Sequence, residues 1–326
     1  MKQDAFVSRH AGDWDRFERW LAQAELKHPP ETVQDEARDI PHLYRRLCHH
    51  LALARARHYS AHLVDRLERL VLAGHQRLYQ ARRASLAAVA EFVGRRFPAR
   101  VRAEWRLVLL AALVFYAPLA GTFAAAWHDS DFAYSLMAPE QVAQFELMYS
   151  DEGQKKLGRL RASDDDFAMF GLYIRNNIGI GFQTFAGGVF AGLGSVFFLA
   201  FNGLVIGAVG GHLVGLGYGE NFFTFVAGHS ALELTAIVLC GAAGLRLGAA
   251  LVRPGPLSRR DALRLAARPA LEMVYGAALM LVGAAFVEAF WSSTQAIPPA
   301  VKYGVGLAGW GLVLVYFVLA GRGRAA

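Results

Sequence analysis

Apolar and polar positions divide the chain near residue 105. Before that point, apolar residues recur three or four apart among many charges: Phe6, Trp14, Phe17, Trp20 and Leu21 in one segment, then Leu43, Leu47, Leu51, Ala54, Leu63, Leu67, Leu70 and Leu78 between Ile40 and Tyr79. This spacing predicts soluble amphipathic helices, with Pro29-Pro30 ending the first. Residues 84–97 form a short amphipathic piece, closed by Pro98 and rich in arginine, of the kind that lies on an anionic membrane surface. Beyond residue 105 the polar positions thin out into runs of about 20 apolar residues, the length needed to cross a bilayer as a helix.

The pattern predicts an all-α protein with two parts. Residues 1–104 form a soluble helical domain ending in the interfacial helix. Residues 105–326 form a polytopic bundle of six spans, near 106–127, 178–200, 203–218, 222–251, 271–291 and 303–320, with Pro118 as a kink in the first. The run from Ile178 to Tyr218 is 41 residues long. Its only turn signal near the middle is Asn202-Gly203, and a re-entrant hairpin is the alternative to two spans. A hydrophobic content of 55% and a mean hydropathy of +0.27 agree with a membrane protein.

Charge orients the bundle. Residues 1–104 carry 19 Lys+Arg against 13 Asp+Glu, residues 128–166 carry 4 against 9, and residues 252–268 carry 5 against 1. The positive-inside rule then puts both termini in the cytoplasm and the acidic segment 128–166 outside. That segment includes an amphipathic stretch (Val142, Phe145, Met148, Tyr149, Leu157, Leu160). The net charge of +7 sits beside apolar runs and not in a patch with a recognition element, which excludes nucleic acid as a partner. Cys48 and Cys240 form neither a disulfide framework nor a metal spacing. His49, His50, His58 and His62 read as a solvated histidine-rich helix face, because no cysteine or carboxylate accompanies them at closing distance.

The fourth span holds the unusual chemistry. His229 and Glu233 are four apart on one helical face, and Arg246 follows within the same apolar stretch. An ionised group at the centre of a span costs about 2.5–3.5 kcal/mol by insertion scales. The pair lies either deep in the bilayer or at its outer interface. Glu272, beside Arg268, reads as an interfacial ion pair, Glu288 as a snorkelling residue near the outer edge, and His212 as a chance neighbour of His229. Gly203, Gly207, Gly211, Gly215 and Gly219 recur every four residues and draw a bare groove down one helix face, for packing within the subunit or, alternatively, for a homodimer seam. No H-E-x-x-H, G-x-S-x-G, Walker or dinucleotide motif is present in a suitable context. The expectation is therefore a non-enzymatic protein without metal or cofactor.

The run YIRNNIGIGFQTFAGGVFAGLGSVFFLAFNGLVIGA (Tyr173 to Ala208), followed by GHSALELTAIVLCGAAGLRLG and by VEAF at Val287 to Phe290, resembles the stage II sporulation protein M family. PHLYRRLCHHLALARARHYSAHLVDRLERLVLAGHQRLY resembles the cytosolic helical extension of its non-sporulating bacterial members. Ser230 stands where the family typically has glycine. The resemblance implies an integral protein of the bacterial plasma (inner) membrane, and marks Asn176, Asn177, Asn202, Gly203, His229 and Glu233 as characteristic residues. The namesake gathers cell-wall hydrolases at a membrane. Two function classes follow. One is a scaffold that docks a cytosolic partner through residues 1–104 and envelope proteins through 128–166. The other is a permease that uses the polar groups around His229 and Glu233.

Overall fold

The computed structural model describes residues 2–24, 39–79, 86–151, 153, 163–294 and 296–322, so Pro29-Pro30, Leu157 and Leu160 lie outside the described residues. No strand occurs among the described residues, and the chain separates into two compact units, residues 1–85 and 86–326.

Among its described residues the first unit packs three helices, α1 (Gln3–Ala24), α2 (Ile40–Ala56) and α3 (Ala61–Tyr79). Their 3–4 residue stripes meet as expected: Phe6, Trp14 and Phe17 are fully buried against Leu47, Leu67 and their neighbours. Gly74 is small for a reason, since a Cβ there would come within 2.6 Å of the Phe17 ring. One expectation fails. His50 is not part of a solvated face but is buried in this core, where Trp14 Nε1 donates to its Nδ1 over 3.1 Å. His10 stacks on it at 4.1 Å between ring centroids. Asp13, one turn of α1 along, gives the cluster the carboxylate that linear spacing did not reveal.

The second unit starts at Leu86, earlier than the boundary expected at 104. Helix α4 (Leu86–Glu91) runs through a π-helical turn (Phe92–Arg96) into α5 (Phe97–Ala103), and this segment belongs to the membrane unit because of what Phe97 does. Its ring is buried, fills the space left by Gly276 and packs edge-on to Phe317. Arg96 and Arg100 both bind Glu272, at 2.6 and 2.9 Å, so that carboxylate pairs with the interfacial helix and not with Arg268.

The remaining helices among the described residues are α6 (Trp105–His128), α7 (Pro139–Tyr149), α8 (Ser163–Ala186), α9 (Leu193–Gly215), α10 (Gly219–Val252), α11 (Arg259–Val287, continued by a π-helical turn Glu288–Ser292) and α12 (Pro299–Leu319). Among the described residues five helices are long and apolar enough to cross a membrane: α6, α9, α10, α11 with its π turn, and α12. Exposed Trp105 and Trp127 mark the two edges of α6. They are 22 residues apart, ~33 Å of helix, which matches a hydrocarbon core of ~30 Å.

The division of 178–218 differs from the expected spans 178–200 and 203–218. The chain reverses at Gly187–Gly192, through a 3₁₀ turn (Gly187–Val189) and Gly192 at φ 85°. Asn202-Gly203 lies inside α9, and Asn202 donates over 2.7 Å to the Phe198 carbonyl one turn back. The reversal needs glycine because Gly187 touches the Gly194 backbone, Gly188 that of Gly244 and Gly192 that of Gly248. In a hydropathy reading these glycines simply extend the apolar run, which hid the turn.

The glycine groove is filled from within the chain. A Cβ at Gly203, Gly207 or Gly211 would overlap the carbonyl oxygen of Phe115, Leu119 or Phe123 on α6. Thr122 locks the same seam, donating to Pro118 O (2.9 Å) in its own unbroken helix and facing Leu204 O (3.0 Å) across it. Gly219 does not continue the ladder. It starts α10 and faces Val214.

Candidate functional site

Helix α10 runs for 34 residues, ~51 Å, and Arg246 near one end sits 2.7 Å from Glu104 at the start of α6. That pair marks the Trp105 level. Glu233 and His229 lie 13 and 17 residues back along the helix, ~20 and ~26 Å, within the slab bounded by Trp105 and Trp127. Both face inward. His229 is 4% exposed, and its Nε2 is 3.6 Å from Glu233 Oε2.

The end of α11 completes the group. Its π-helical turn widens the backbone by one residue per turn and carries Glu288 and Ser292. Ser292 Oγ lies 3.0 Å from His229 Nδ1. Glu288 does not snorkel; it is 9% exposed, and one donor atom from each of His229, Glu233 and Glu288 lies within 4.8 Å of the others. Asn177, buried on α8, neighbours Glu288, yet its Nδ2 and Glu288 Oε2 are both buried without a well-formed hydrogen bond. Lys302 from α12 is buried as well and donates over 2.8 Å to the Ser292 carbonyl.

His229, Glu233 and Glu288 border a chamber of about 510 Å³ whose walls are mostly apolar and aromatic, with Phe222, Phe225, Tyr149, Tyr303 and Trp310 among them. Helix α7, from the acidic segment, folds over its Trp127 end. Tyr149 packs edge-on to Phe222 and Phe225. Burial first, then the carboxylate of Glu288, holds its phenol proton well above the usual range. The cap is latched by Glu146, whose Oε1 lies 2.8 Å from His212 Nε2, while His212 Nδ1 lies 2.8 Å from Ser130 O. Both ring nitrogens of His212 therefore face acceptors, and its partner is the cap and not His229. Asn221 adds a bond to Tyr149 O at 2.9 Å.

The expected residues are thus only partly gathered. His229, Glu233, Glu288 and Asn177 come together, whereas Asn176 is exposed and donates to Asn177 Oδ1 (3.1 Å), and Asn202 serves its own helix. The sequence reading missed Ser292, Lys302, Tyr149 and the Glu146–His212 latch. Lys302 alone left a signal, as a lone cation opening an apolar run. Among the described residues, two groups hold donor atoms close enough for a metal ion, His229/Glu233/Glu288 and His10/Asp13/His50.

A bundle of apolar helices closed on buried ionisable side chains defines a polytopic α-helical membrane protein. The family model for stage II sporulation protein M matches residues 107–293, more than half of the chain, and the chain belongs to that family. A second model, a domain of unknown function (DUF8413), matches residues 4–80, almost the whole first unit. No curated protein and no solved structure matches the chain.

Proposed function

We propose that this protein is a non-enzymatic scaffold of the bacterial inner membrane, anchored by the residue 86–326 unit and docking a protein partner through residues 1–85. The observation that carries this reading is modularity. The first unit has its own aromatic core and matches its own family model, separate from the membrane family. A helical module with a complete core of its own leaves its charged faces, such as Arg46, Arg55 and Glu68, available for a partner. The arginines at the Trp105 level (Arg95, Arg96, Arg100, Arg102, Arg253) support a cytoplasmic position for that side, by the positive-inside rule. The acidic cap then faces the envelope, where it offers a second docking surface.

Co-purification from native membranes after mild cross-linking tests the scaffold. A partner recovered in stoichiometric amount with the full chain, and lost when residues 1–85 are deleted, is the expected result. A full chain that purifies alone at native expression levels overturns it.

A second reading, a permease, is favoured by one observation: the chamber of about 510 Å³ bordered by His229, Glu233 and Glu288. Buried ionisable groups in spans often mark ion or proton paths. Flux in proteoliposomes that disappears in Glu233→Gln would establish it.

A further inference from the structure

Histidine and glutamate four apart on one helix present an imidazole nitrogen and a carboxylate oxygen to the same point. In α10 that point is supplied with a third donor by the π-helical turn after α11. We propose that His229, Glu233 and Glu288 form a binding site for one divalent transition-metal ion, whether the chain acts as a scaffold or as a permease.

The geometry is close to a coordination sphere. His229 Nε2 and Glu233 Oε2 are 3.6 Å apart. Two donors ~2.1 Å from a tetrahedrally bound ion are separated by about 3.4 Å, so this edge needs almost no movement. Glu288 brings its donor within 4.8 Å of the other two. The histidine is already oriented: Nδ1 lies 3.0 Å from Ser292 Oγ, and the tautomer that donates there turns the Nε2 lone pair towards the carboxylates. Metal-binding histidines are held in this way by a partner on the other nitrogen.

A second, independent observation points to a missing ligand. Glu288 is more than nine-tenths buried and lines the chamber, and its Oε2 has no well-formed hydrogen bond even though Asn177 lies beside it. A carboxylate oxygen in that position is either costly or coordinated. Lys302, buried on α12, donates to the Ser292 carbonyl and forms no ion pair with either glutamate among the described residues. An ion of charge +2 would balance the two carboxylates. One nitrogen with two oxygens selects the manganese-to-zinc class over calcium or magnesium, which favour all-oxygen sites. The chamber leaves room for water in the open positions. The His10/Asp13/His50 group differs, because two of its three residues already have partners: His50 Nδ1 accepts from Trp14 and Asp13 pairs with Arg46.

The test uses full-length protein without a histidine tag, reconstituted in nanodiscs, stripped with chelator and titrated with Co²⁺ and Zn²⁺. The expected result is one ion per chain with a Co²⁺ ligand-field spectrum containing nitrogen and oxygen donors. Glu288→Gln and His229→Ala should abolish that spectrum, Ser292→Ala should weaken binding about 10- to 100-fold, and His10→Ala should leave it unchanged. Should the first two variants fail to fold, Ser292→Ala and the wild-type spectrum still decide the matter. Absence of stoichiometric binding by the wild type, or binding that survives in folded Glu288→Gln, overturns the site.

Discussion

Arg246 Nη1 lies 2.7 Å from Glu104 Oε1, tying the far part of the longest helix to the break between the interfacial helix and the first span. The two side chains are not equally buried: Glu104 is 9% exposed and Arg246 33%. Losing the arginine strands a buried carboxylate, whereas losing the carboxylate leaves a guanidinium that still reaches solvent. Arg246→Leu should therefore destabilise by about 3 kcal/mol, the lower end for a broken buried pair, and Glu104→Leu by less. Thermal unfolding in detergent reads the difference. Equal effects would mean that the pair is solvated.

The contact of Gly207 and Gly211 with the α6 backbone predicts intolerance of a single methyl group. Gly207→Ala and Gly211→Ala should each cost about 1–3 kcal/mol by overpacking against the Leu119 and Phe123 carbonyls. Gly311→Ala, on an open face of α12, should be close to neutral. If all three melt together, α6 and α9 are not in backbone contact.

His229 and Glu233 should behave as a coupled pair. In a chelator-treated double-mutant cycle, His229→Ala and Glu233→Gln together should do less harm than the sum of the two, with a coupling of about 0.5–3 kcal/mol. Strict additivity would show that the side chains do not interact.

The first unit should weaken in acid. Burial, reinforced by His10, lowers the His50 pKa from its ordinary value of 6.5 to about 4. Between those values the unfolded chain binds a proton that the folded unit refuses. Stability is then greatest above pH 6.5, declines as the pH falls, and levels off below about 4. Hydrogen exchange of residues 40–56, corrected for intrinsic rates, should follow this course in the full chain. His50→Gln should flatten it, and a flat wild-type profile would contradict it.

Orientation is open to labelling. In a Cys48→Ala background, Glu140→Cys on the exposed face of the cap should react with an impermeant thiol reagent on intact cells. Leu72→Cys, at a position 60% exposed in α3, should react only after permeabilisation. The opposite pattern would invert the topology.

Periodicity and run length were enough to establish an all-α fold, an amphipathic helical first part and a bundle of apolar spans, because both depend on the local free energy of placing side chains in water or hydrocarbon. The glycine ladder was legible for the same reason: a helix face without side chains must meet something close. What it met, the α6 carbonyls, was settled only by packing, as was the turn at Gly187–Gly192, where Gly188 and Gly192 are required by contacts with Gly244 and Gly248, 56 residues away in sequence. The site divides along the same line. The i, i+4 spacing of His229 and Glu233 follows from helix geometry alone. Glu288, Ser292, Asn177 and Lys302 arrive from three other helices, and the π-helical turn that aims Glu288 inward leaves no periodic trace. Burial of a charged group is a property of its neighbours, so only the tertiary structure could convert a snorkelling glutamate into an unpartnered one.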